Sequence, residues 1–275
     1  TNGVGAPSIG QSYWRKKINS LYGSVGVNYD GFIYFDATFR NDWSSALIKE
    51  NRSYFYPSFN LSYVFTEMMN KMGASIPGWL SYAKIRASHA SVGNDLAPYS
   101  LYNGFEIHKD PNSNAYAIRN SLLKDPYVRS ELIRSIELGA ELRFFNSRVG
   151  LDFTWYKSNA TNQLIPIPMD PMSGYTTMMI NAGDIQNKGL ELVADARILT
   201  NANSLNWSII ANFSKNENRI IDIASDEGVN ELTLPGGAFD DLFIKAVKGG
   251  LYGDIYGTRL LRVKDPSSQH FGKLL

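Results

Sequence analysis

Carboxylates recur along one side of the alternating segments of this chain, as Glu137 with Glu141 and Glu191 with Asp195. Paired carboxylates perform glycoside hydrolysis when they stand about 5–9.5 Å apart. Four residues of extended strand span about 13 Å, so neither pair is such a dyad within its own strand, and cross-strand pairs depend on register. The simpler reading is solvated charge balanced by Arg40, Arg86, Arg143 and Arg197. Trp43 follows Arg40 and Asp42. An indole beside polar groups suits stacking on a sugar or peptide; it also suits anchoring a loop or joining an aromatic belt. Asn94-Asp95 reads as turn chemistry or as ligand contact. Four methionines lie between Met169 and Met179, a composition for adaptable packing against loops or a partner. Asp226-Glu227 and Asp240-Asp241 carry oxygen ligands without calcium-loop spacing. His89, His108 and His270 are scattered, and His89 falls on an apolar face. Hydrolase, zincin, Walker and dinucleotide motifs do not occur, so neither an enzyme nor a cofactor is expected.

The elements that position these groups follow from composition and period. The 275 residues carry 27 Lys plus Arg against 26 Asp plus Glu, a net charge of +1. That balance offers no field for nucleic acid. Cysteine is absent, which excludes disulfides, thiolate metal sites and thiol nucleophiles. No run of 18 apolar residues forms a membrane helix, and Thr1-Asn2-Gly3-Val4-Gly5 lacks the head and core of a signal peptide. Aromatics reach 13%, as in β-proteins.

Alternation with a period of two dominates. Ile33, Phe35, Ala37 and Phe39 share one face, and Tyr34, Asp36, Thr38, Arg40 and Asp42 the other. Leu21 to Tyr29 alternates likewise, and Asp30-Gly31 joins the two segments as a tight hairpin. The same grammar recurs over 58–66, 83–90, 136–144, 149–156, 189–198 and 205–214, giving eight strands, with a ninth around Phe243 to Tyr256. Connections run short and long in turn: 30–31, then 43–57; 67–79, then 94–131; 145–148, then 159–182; 200–204, then 217–242. All long gaps fall at one end of an up-and-down meander, although 67–79 fits imperfectly. Short inner turns, long outer loops, strands of about ten residues and aromatics near strand ends fit a transmembrane β-barrel.

The residues themselves carry a resemblance. Arg40-Asn41-Asp42-Trp43-Ser44-Ser45, Asn51 through Ser58, Lys84-Ile85-Arg86-Ala87-Ser88 leading into Val92-Gly93-Asn94-Asp95, and Ile136-Glu137-Leu138-Gly139 through Arg148 resemble the SusC/RagA family of TonB-dependent outer-membrane transporters. Asn181-Ala182-Gly183-Asp184-Ile185-Gln186-Asn187-Lys188-Gly189-Leu190-Glu191-Leu192 is the most specific run, and Trp207 through Asn216 and Gly250 through Gly257 complete it. The resemblance implies a barrel of twenty-two strands around a plug, importing glycan or peptide fragments across the outer membrane of Bacteroidetes-type bacteria. It also implies a SusD-like lipoprotein as lid, and energy from the TonB-ExbB-ExbD complex through the plug region. His89 and Ala90 depart from the family pattern, and no terminal strand closes on an aromatic residue before Leu275.

The expectation is therefore an all-β, antiparallel transmembrane barrel segment of eight or nine strands. Residues 1–275 are expected to be a partial barrel domain, with the plug, the first strands and the last strands absent. Arg40, Asp42, Trp43, Asn60, Arg86, Asn94, Asp95, Glu141 and Asp195 are the candidate residues of the substrate path, with Asp36 and Thr38 beside them. The partners implied are the SusD-like lipoprotein, the TonB complex, an oligosaccharide or peptide, and outer-membrane lipid. In the first rival, a self-contained eight-stranded barrel, the strand of Leu21 pairs with that of Phe213. In the second, a soluble sugar-binding sandwich, Ile33, Leu142 and Trp207 converge on a dry interior. A siderophore-type receptor is a narrower alternative, disfavoured by the Asn181–Leu192 run.

Overall fold

The computed structural model describes residues 11, 13–200, 204–258 and 260–274, leaving out the side chains of 235–239. The readings made on residues 1–5 and on Leu275 lie outside the described residues. Strands β1 (Ile18–Tyr29), β2 (Ile33–Ser44) and β3 (Ser53–Val64) lead through helix α1 (Phe65–Lys71) to β4 (Leu80–Asn94). The outer excursion that follows holds β5 (Phe105–Lys109), β6 (Ala115–Arg119) and β7 (Leu122–Lys124). Next come β8 (Glu131–Phe144), β9 (Val149–Pro168), β10 (Thr177–Leu199) and β11 (Trp207–Asp222). Finally β12 (Glu231–Phe239), β13 (Leu242–Val247) and β14 (Asp254–Gly257) form a separate three-stranded sheet.

The main sheet runs β1-β2-β3-β4-β8-β9-β10-β11, each pair on this path antiparallel, with short β7 parallel to β10. Each of the eight expected segments lies in one of these long strands, apart from a residue or two at the segment ends. The ninth segment does not join the sheet: it divides between β13 and β14, and the sheet's ninth strand is β7. The Asp30-Gly31 hairpin closes as a three-residue turn, because Tyr29 faces Ile33. Asp30 and Gly31 both take positive φ, 48° and 77°, the left-handed conformation that suits glycine. The 67–79 gap fitted poorly as a turn because α1 occupies its start.

Register settles which side chains share a face. Val25 faces Ala37, Phe35 faces Leu61, Leu61 faces Ala87, Ala87 faces Leu138, Leu138 faces Trp155, Trp155 faces Leu190, and Leu192 faces Phe213. One apolar face thus continues over eight strands. From Tyr29 to Leu21, Phe144 to Ile136 and Ile198 to Leu190 it runs about 26 Å along the strand. Asn19, Asn41, Arg134, Lys157 and Lys188 end it on the same parity. Aromatic pairs mark both ends, Tyr29 with Phe32 and Trp79 with Phe144 at the turns, and Phe39 stacked on Phe55 at the other end.

Among the described residues, no second layer covers this face. Leu21, Ile85, Leu138, Trp207 and Phe213 are all exposed, and Ile33 and Leu142 are only half-buried. The dry clusters lie elsewhere. Ile167, Ile220, Ile223, Ala224 and Ala246 pack where β9, β10 and β11 run beyond the apolar band, and Leu47, Leu96 and Val128 pack under the loops. A sandwich buries its alternating face between sheets; this one leaves it open. The described residues of β1 and β11 do not pair with each other, so the small closed barrel is not formed either.

Candidate lumen face and outer-loop site

The opposite face of the sheet carries the charged candidates, and glycines decide how they reach one another. Arg86 on β4 lies across Gly139 on β8 and meets β9, donating to Asp152 at 2.7 and 3.0 Å and to Thr154 Oγ1 at 2.6 Å. A Cβ at position 139 would collide with its guanidinium stem. One strand on, Arg143 on β8 crosses Gly150 on β9 to reach Asp195 on β10 at 2.9 Å. Next, the Tyr156 hydroxyl on β9 crosses Gly189 on β10 and donates to Asn216 Oδ1 on β11 at 3.1 Å. Each strap skips one strand, and each passes over a glycine whose missing side chain leaves the space.

These pairs resolve the carboxylates. Glu141 and Asp152 stand opposite each other across β8 and β9, yet Arg143 takes Glu141 at 3.3 Å while Arg86 takes Asp152. Fixed in ion pairs, neither is poised as the acid or nucleophile of a hydrolase. Among the described residues, no three His, Asp or Glu side chains gather to hold a metal ion.

Nearer the outer end, Arg40 Nε donates to Asp42 at 2.9 Å, and the Tyr56 hydroxyl donates to the same carboxylate. The Asp42 side chain is buried while that of Arg40 is 49% exposed, so the guanidinium edge faces open space. Tyr22, Thr38, Arg40, Tyr56, Ser58 and Val92 line a hollow of about 480 Å³ there. Asn60 lies at 3.5 Å from Asp36. Trp43 belongs to a smaller recess, of about 240 Å³, with Lys17, Asn19 and Arg52.

Asn94 and Asp95 have different jobs despite their adjacency. Asn94 donates to Glu131 across β4 and β8 at 2.8 Å, and the other oxygen of Glu131 accepts from Leu164 N at 3.2 Å. The Asp95 side chain is buried and receives Lys16 Nζ at 2.7 Å, the Ser44 hydroxyl and Leu96 N. It fastens the segment before β1 to the end of β2 and the start of the outer excursion. The structure therefore brings together Arg40 with Asp42, and Glu141 with Asp195 through Arg143; Arg86, Asn60, Trp43, Asn94 and Asp95 stand in separate clusters. Asp152, Tyr156 and Lys16 are the partners that sequence reasoning missed. Glycines at polar-face positions, Gly139, Gly150 and Gly189, were the signal for the straps. Of the methionine loop, Met172 lies exposed and Met178 packs against the Ile220 cluster.

Residues 1–258 match the family model described as TonB dependent receptor-like, beta-barrel. The chain belongs to the TonB-dependent receptor family. It is 29% identical over 236 residues to TonB-dependent receptor P3 of Formosa agariphila, covering 84% of this chain and 22% of that protein. With TonB-dependent receptor P39 of the same organism it shares 26% over 218 residues, 77% of this chain and 20% of that one. The chain thus spans about a fifth of the length of these relatives. Its fold matches that of the RagAB peptide transporter with a TM-score of 0.72, at 22% identity over 85% of this chain and 25% of the other. The RagAB peptide importer in the 'open-open' state gives 0.72 as well, at 22% identity over 86% and 24%. Receptors of this family are transporters rather than enzymes, and their barrels stand in the outer membrane. The open apolar face is the lipid-facing surface such a wall requires, since only closed barrels satisfy every strand in hydrocarbon.

Proposed function

We propose that this chain forms part of the wall and outer loops of a larger barrel that imports peptide or glycan fragments across the outer membrane. The first and last strands and the plug would be supplied by the remainder of a longer receptor. A SusD-like lipoprotein would sit on the outer loops, and the TonB-ExbB-ExbD complex would supply energy through the plug. The observation that carries this reading is the division of one sheet into an uncovered apolar face and an ion-paired polar face over eight strands. Arg40, Asp42, Trp43, Asn60, Arg86, Asn94, Asp95, Glu141 and Asp195 would border the path or hold the loops around it, with the Arg40 hollow as the point of contact. Membership of the receptor family and the RagAB-like fold support it. The test is uptake of labelled oligopeptides and oligosaccharides by cells with and without the gene, and with and without TonB. Uptake of at least one substrate lost in both deletions is the expected result. Uptake indifferent to either deletion overturns the reading.

A further inference from the structure

Over the outer end of β2, four separate segments border a second hollow of about 300 Å³. Its walls include Leu47, Pro98, Leu101 and Pro126 with the rings of Tyr99 and Tyr102, and Arg15 stands at the rim. None of the residues lining it carries a carboxylate. The frame is rigid where it needs to be. Its lining residue Leu47 is buried in a cluster with Leu96 and Val128, against which Ala46 and Leu101 also pack. Asn103 closes one wall with two hydrogen bonds to the backbone of Lys124, both 2.8 Å. Tyr99 adopts φ of +63°, a costly conformation for an aromatic residue. It sets its ring 5.9 Å from that of Tyr102, which is 72% exposed.

The backbone that follows Arg15 is tethered. Its neighbour Lys16 is bound to Asp95 and to Leu96 O, both at 2.7 Å, and Lys17 exchanges hydrogen bonds with Ser45 at 2.9 Å. Both following residues are tied down, while the Arg15 guanidinium has no ion-pair or hydrogen-bond partner among the described residues. An exposed, unpaired guanidinium on a tethered stretch of backbone, bordering an aliphatic and tyrosine-lined hollow, is complementary to an anion attached to an apolar body.

We propose that this hollow binds the C-terminal end of a short apolar peptide, its carboxylate on Arg15 and its last side chain between Tyr99, Tyr102 and Leu101. This rests on the importer reading above and names the substrate class for it. Aliphatic and proline walls, with Asn103 engaged by the Lys124 backbone and the Ser45 hydroxyl by Lys17 N, favour an apolar side chain over a ring of hydroxyls.

The test is equilibrium binding to the full-length receptor purified in detergent, which needs no TonB and so separates failure of this pocket from failure of the transport reading. The probes are trileucine, trileucine amide and a galacturonate trimer. Trileucine should bind, and its amide should bind about tenfold more weakly, as loss of one charge-assisted contact implies. Arg15→Gln should weaken trileucine by a similar factor and abolish the difference between acid and amide. Arg15→Lys should restore part of it, and Tyr102→Ala should weaken acid and amide alike. Equal binding of acid and amide to the unaltered receptor overturns the proposal. So does Arg15-dependent binding of the galacturonate trimer in preference to the peptide, or a failure of trileucine to bind at all.

Discussion

The side chains that define the polar face work over glycines, and that makes the glycines as informative as the charges. Replacing Gly139 by Val drives a branched side chain into Arg86 and breaks its hold on Asp152 and Thr154. Overpacking of this kind costs about 1–3 kcal/mol. Denaturant unfolding of the full receptor in detergent should report it, and Arg86→Ala in the same background should recover much of the loss. A cost unchanged by the second substitution would show that the strap is not its source. Outside the membrane, some nine residues beyond Phe213, Asp222 is held by Lys248 at 2.8 Å and by the Ser225 hydroxyl at 2.6 Å. Those two contacts keep its carboxyl at about 2, below the ordinary 3.8. A depressed carboxylate contributes stability above its unfolded pKa, and that contribution is lost as pH falls through the folded value. Proteolysis of the β11–β12 region should therefore accelerate between pH 4 and pH 2 in the native receptor. Asp222→Asn should flatten that acid dependence. Equal acid sensitivity in both proteins would place the titration elsewhere.

At the scale of strands, two solvents impose a period of two, and for that reason the membrane-crossing part was legible. Lipid on one side and water on the other select Ile33, Phe35 and Phe39 against Asp36, Thr38 and Arg40. Beyond Trp155 the outside is water and protein rather than lipid, so Lys157, Asn159, Thr161 and Gln163 take that parity and the alternation fades. Hence the 159–182 stretch reads as a loop although β9 and β10 pair through most of it. The supposed outer loop at 43–57 likewise shrinks to residues 45–52, because Trp43 still faces Ser53. The straps were half legible: their glycines stand in the sequence, but a partner two strands away is visible only once register is fixed. The two faces also predict opposite responses to charge. Leu138→Arg near the middle of the apolar band should cost about 2–4 kcal/mol, seen as reduced assembly into the outer membrane and a lower unfolding midpoint. Thr38→Arg on the polar face should assemble normally. Similar behaviour of the two variants would refute the assignment of faces.

At the largest scale, the described residues have their dry cores in the outer half, around Ile220 and around Val128, and none across the apolar band. In water that band is an unpaid hydrophobic surface of a size soluble proteins avoid, flanked by β1 and β11, each paired on one side only among the described residues. Unpaired edges of this length template association with other chains. Expressed by itself without detergent, the 275-residue chain should aggregate, and size-exclusion chromatography should find no stable monomer. A monodisperse, folded monomer in plain buffer would remove the basis for the lipid-facing assignment.

The three straps overlap: β4 to β9, β8 to β10, β9 to β11. Backbone ladders fasten each strand only to its neighbours, like a zip, and a zip opens from one end. Stitches that pass over a strand and catch the next make the wall behave like woven cloth instead. A pull on any one hairpin is then shared among several seams, so the stretch from β4 to β11 should give way as a panel rather than unravel strand by strand.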